Sequence, residues 1–84
     1  MPEYIDESVS VNLLSNHLSG ASLPTSFYWR GRRYHVNTLG LHHTTHVGRT
    51  LVHVFSVTDG ANFFKLQLDT ETLNWKLLEI DTSN

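Results

Sequence analysis

Cysteine is absent from this chain of 84 residues. That excludes a disulfide framework and any thiolate metal site. It also fits a reducing compartment, and the chain reads as a cytoplasmic protein. Long apolar runs are missing too, since none exceeds three residues. No segment is therefore expected to span or enter a membrane. The opening Met-Pro-Glu-Tyr has neither a basic nor an apolar leader, so no signal peptide is expected. There is no P-loop, no Gly-x-Gly-x-x-Gly and no nucleophile elbow. Acids sit near turns and termini, where Asp59 and Asp69 have turn roles. A catalytic pocket is hard to build in so small a core, so the chain reads as non-enzymatic and without a cofactor.

Acids are also absent from the middle third. Residues 27–55 hold four arginines and five histidines but no carboxylate. Residues 1–26 carry only acids, and residues 56–84 carry five acids and two lysines. The net charge is −2. Half of the six basic side chains fall within four residues of "YWRGRRYHV", residues 28–36.

What is present is a period of two. Val9, Val11 and Leu13 alternate with polar residues and predict a first strand from about Ser8. Residues 14–25 read as a loop, in which Leu13, Leu14 and Leu18 could form one helical turn closed by Gly20. Gly31-Arg32 then predicts a type II′ hairpin, pairing Arg30 with Arg33 and Trp29 with Tyr34. Phe27, Trp29, Tyr34 and Val36 fall on one face, and Tyr28, Arg30, Arg33 and His35 on the other.

Residues 40–49, "GLHHTTHVGR", read as a second loop. The strand "TLVHVFSVT" follows, then Asp59-Gly60 as a hairpin signal pairing Thr58 with Ala61 and Phe55 with Phe64. A last turn over residues 69–72 pairs Leu68 with Leu73 and Leu66 with Trp75. The expected core is Leu51, Phe55, Val57, Phe64, Leu66, Leu68, Leu73, Trp75 and Leu77, joined by Trp29, Tyr34 and Val36. The opposite face carries Val52, Val54, Phe63, Leu78 and Ile80, enough apolar surface to need a cover. The fold expected over residues 1–84 is a single all-β domain. It is a small antiparallel meander of about six strands, strongly curled or closed into a small barrel.

Two clusters are candidates for function. Tyr28, Arg30, Arg33 and His35, with Arg32 at the tip, form an aromatic and basic face. Rings of that kind stack bases and guanidinium groups meet phosphates. The bland alternative is that the arginines are solvated or meet acids such as Glu7, Glu79 or Asp81. A mirror-image pair Arg30/Arg33 would repel slightly. The second cluster is His42, His43 and His46, with His35 and His53 as further imidazoles. Three imidazoles can hold zinc, copper or nickel. A loop does not fix their spacing, however, so a solvated segment is the expected state and no metal site is assigned.

The segment Pro24-x-x-Phe27-x-Trp29-x-Gly31-Arg32-x-Tyr34-x-Val36, with Asp59-Gly60 and Trp75-x-Leu77, resembles a group of small uncharacterised bacterial domains. The resemblance spans roughly residues 9–80 and implies an all-β fold. Its motifs are mostly structural and imply no activity. Some members of that group accompany translesion polymerase components, and the resemblance thus implies a nucleic-acid context for some of its kind. This chain has a His-rich segment where the group usually has a charged one bearing tryptophan.

The expected function is that of a non-catalytic interaction or accessory module, binding a protein partner or itself. The alternative is nucleic-acid binding through Tyr28, Arg30, Arg32, Arg33 and His35, against which stands a pI of about 6.3. The least favoured reading is metal binding through residues 42–46.

Overall fold

The computed structural model describes residues 2–15 and 22–82. It forms one antiparallel sheet of seven strands. These are β1 (Pro2–Ser15), β2 (Ser22–Trp29), β3 (Arg32–His35), β4 (Thr38–Val47), β5 (Thr50–Thr58), β6 (Asn62–Asp69) and β7 (Trp75–Thr82). Their order in the sheet is β3-β2-β1-β7-β6-β5-β4. The all-β antiparallel expectation holds. Among the described residues no helix is long and apolar enough to cross a membrane.

The sheet is strongly curled. Phe27 on β2 and Phe64 on β6 are three places apart in the strand order. Across a flat sheet that is about 14 Å. Their ring centroids stand 5.0 Å apart, edge to face, and Tyr34 on β3 meets Phe64 at 5.3 Å. The two edge strands are consecutive in the chain, and the corner between them serves both ends of the sheet. The Val36 N–H donates to Thr25 O beside β3, and the Asn37 N–H donates to Thr58 O beside β4. No ladder joins β3 to β4, so the curl stops short of a hydrogen-bonded barrel.

Phe27, Phe55, Val57, Phe64, Leu66, Trp75, Leu77 and Ile80 form the core inside this curl. Trp29, Tyr34, Val36, Leu39 and Leu68 pack against it while partly exposed, as do Ile5, Val9 and Val11 of β1. Trp29 and Tyr34 are thus on the expected face, but only half-buried.

Several expectations are corrected. The strand count is seven because residues 38–47 are a strand rather than a loop. The first strand begins at Pro2 and runs through Leu14, and β2 begins at Ser22, so Leu13 and Leu14 are extended. Leu18 and Gly20 of the expected helical turn lie outside the described residues. The first hairpin turns at Arg30-Gly31, with φ of 52° and 75°. Two positive φ values are what a type I′ turn needs. Trp29 therefore opposes Arg32, and Tyr28 opposes Arg33. The expected Arg30/Arg33 pair does not form.

The next two hairpins slip by two residues, which keeps every side chain on its face. Thr58 opposes Phe63 and Phe55 opposes Leu66, because Asp59 Oδ1 accepts from the Ala61 and Asn62 amides and widens the turn. Asp69 does the same for the Glu71 and Thr72 amides. That wider turn puts Leu73 in a left-handed conformation, 70% exposed and out of the core. Leu51 is likewise exposed, near the end of the β4–β5 hairpin.

Ile80 moves the other way. A bulge opposite Lys65/Leu66 inserts one residue into β7, so Leu77 and Ile80 both face inward. On the outer face Val52 and Val54 are already buried within this chain, Leu78 is half-buried, and Phe63 stays exposed.

Candidate functional site

The arginine hairpin divides in three. Arg30 sits in the turn and reaches back to Glu7. Its Nη2 donates to Glu7 Oε2 at 2.7 Å and its Nε to Oε1 at 3.3 Å. Trp29 Nε1 donates to the same Oε1 at 2.9 Å, and the guanidinium lies over the Trp29 ring. Glu7 is positioned by a β1 bulge at Asp6, whose φ is 54°. It shares the inward face of Val9 and Val11, by the strand's alternation. This carboxylate was among the partners named by the bland reading, and for Arg30 that reading is correct.

The Arg30 hydrogen bond, then that of Trp29, holds the Glu7 carboxyl below its ordinary range. A depressed carboxyl adds stability above its unfolded-state pKa and loses it as pH falls through the folded value. Glu7→Gln should therefore melt below the parent protein at neutral pH, by the modest amount an exposed ion pair gives. The two melting temperatures should converge as pH falls below the ordinary carboxylate range. Thermal melts across pH read this, and a gap independent of pH would exclude the ion pair as its source.

Arg33 lies over Tyr28 at 5.9 Å on the outer face, and Arg32 over Tyr34 at 5.6 Å. Arg32, Arg33, Tyr34 and His35 line a polar cleft of about 330 Å³ with Asp59 and Asn62. Three of the five predicted binding residues, Arg32, Arg33 and His35, thus line the cleft, while Tyr28 lies beside Arg33 and is not among its lining, and Arg30 is committed to Glu7. Asp59 places a carboxylate in the cleft as well, which weakens it as an anion site.

The histidines are dealt to two faces. β4 pairs with β5 so that His42 opposes Phe55, His43 opposes Val54 and His46 opposes Leu51. His42 stacks on Phe55 at 4.4 Å, and its Nε2 stands 2.8 Å from His53 Nδ1. Burial, then the neighbouring His53 and His43, lowers the His42 pKa, so the ring is neutral at pH 7. His43 projects to the opposite face, so the three histidines of the motif do not converge. Among the described residues no group of three metal-binding side chains forms.

What sequence reasoning missed is the strand that carries them. β4 is the last strand of the sheet. Nine of its ten residues are exposed and the tenth, Leu39, is partly so. It holds no Asp, Glu, Lys, Arg or Pro. Natural edge strands are usually blunted by such residues. Among the described residues no strand pairs with its outer edge. Two signals were available. "THVGRTLV" has the two-residue Gly-Arg spacing of a hairpin, and Gly48 takes the positive φ that the first position of a type II′ turn requires. Thr44, Thr45 and Val47 are β-branched.

No protein-family model matches the chain, and neither does any curated protein or solved structure. The functional reading therefore rests on the chain's own geometry.

Proposed function

We propose that this protein is a non-catalytic interaction module that binds an extended segment of a protein partner along β4. The open edge of β4 carries this reading. Along its ten residues, alternate backbone donors and acceptors point away from β5, with no charge and no proline to repel an added strand. Main-chain hydrogen bonds supply affinity in such pairing, and alternate side chains supply specificity. On β4 those are Leu41, His43, Thr45 and Val47 on one face and His42, Thr44 and His46 on the other. A bacterial, cytoplasmic setting goes with this reading, supported by the absence of cysteine and by the family resemblance. The arginine hairpin is the weaker candidate, because Glu7 and Asp59 stand against it.

The test is a selection from displayed peptides of alternating apolar and polar sequence, run beside a titration with single-stranded DNA. Peptides should be retained, should protect β4 amides from hydrogen exchange, and should be lost from Thr44→Lys. If no peptide protects β4 while DNA binds with a steep salt dependence, the arginine hairpin is the site and this reading falls.

A further inference from the structure

The straight part of β4 is bounded by a bulge at Gly40 and by the turn at Gly48. Between them lies Leu-His-His-Thr-Thr-His-Val, residues 41–47. Laid antiparallel against itself about Thr44, this segment matches its own chemistry. Leu41 meets Val47, His42 meets His46, His43 meets Thr45, and Thr44 meets Thr44. Apolar falls on apolar and imidazole on imidazole, and both faces stay in register because side chains alternate. A two-fold interface needs such self-complementarity, since the same patch serves both subunits.

We propose that the occupant of the β4 edge is a second copy of this chain, joined antiparallel with its two-fold axis at Thr44. The proposal rests on the strand-addition reading above and names its partner. The two sheets become one across the axis, and the backbone groups of both edges pair. The neutral His42 ring permits this close approach. Protonating it opposes pairing, because a charged ring would then be held between His53 and the second copy.

The groups facing these rings are few. His42 faces His53 and Phe55 on β5, His43 faces Val54, and His46 faces Leu51. Arg49 lies in the adjoining turn, and Asp69 and Lys76 line the outer groove beside Val47 and Val52. Beyond Asp69 no carboxylate among these neighbours offsets a charge on His42, so the dimer should weaken once pH falls far enough below the ordinary histidine range to protonate that ring.

Sedimentation from micromolar to millimolar concentration tests the proposal. The parent protein should dimerise at neutral pH and dissociate progressively as pH falls below the ordinary histidine range. Thr44→Lys and Thr44→Glu should each weaken the dimer by on the order of a hundredfold, since each places like charges at the axis. An equimolar mixture of the two should dimerise again, which a folding defect would not allow. Thermal melts of the two variants should match that of the parent monomer. A parent protein monomeric throughout, or a mixture that stays monomeric, overturns the proposal. If peptides still protect β4 in that case, the strand-addition reading survives and only the identity of the partner is wrong.

Discussion

Phe64→Ala should cost about 3–5 kcal/mol of folding free energy, as deletion of a buried phenylalanine does. The residue is 3% exposed. Its ring is where the two flanks of the curl meet, touching Phe27 of β2 and Tyr34 of β3. Truncation removes apolar burial and also the contact that keeps β2 and β3 folded over β6. A domain of this size has a total stability of roughly 5–10 kcal/mol, so a large part of it is lost. Urea denaturation followed by tryptophan fluorescence measures the change. A loss under about 1 kcal/mol would mean that the aromatic contact across the curl does not hold the fold.

Gly60→Ala should cost about 1–3 kcal/mol, by a different route. Gly60 has a φ of 98°, a conformation that side chains resist. A Cβ there would stand 2.9 Å from Asn37 Nδ2. Asn37 belongs to the corner between β3 and β4, and its side chain donates to Asp59 O. The substitution thus strains the β5–β6 turn and presses on the corner that joins the sheet's two edges. Gly31 also has a positive φ but has open space around it, so Gly31→Ala serves as the control. Calorimetric melts of both variants separate strain from collision. Equal losses would show that the Asn37 contact adds nothing.

The apolar half of the fold was legible in the sequence because alternation is robust to small slips. Two hairpins were displaced by two residues without any side chain changing face. Where a bulge added a single residue, parity failed, and Ile80 went to the core against expectation. The turns were harder. Asp59 and Asp69 each cap two amides and lengthen their loops, and no periodicity announces that. β4 was invisible for another reason. Its face toward the core end bears His42, Thr44 and His46, so it carries little apolar contrast to alternate. Of the candidate hairpin, the placing of Tyr28 and Arg33 together on the outer face was readable, and so was Glu7 as a partner for an arginine. The choice of Arg30 depended on a turn shifted by one residue.

The place of β1 in the sheet bears on how the chain finds its fold. β1 lies between β2 and β7, so residue 3 pairs with residue 80. Every other ladder joins strands that are neighbours in sequence and can zip from a local turn. The β1–β7 ladder has no such turn and must close a loop of nearly the whole described chain. Closure of that kind raises contact order and slows folding at a given stability. The two blocks, β1–β3 and β4–β7, are local meanders that can form before they meet. Their union through the central ladder is then the slow step, and it assembles the core around Phe27 and Phe64.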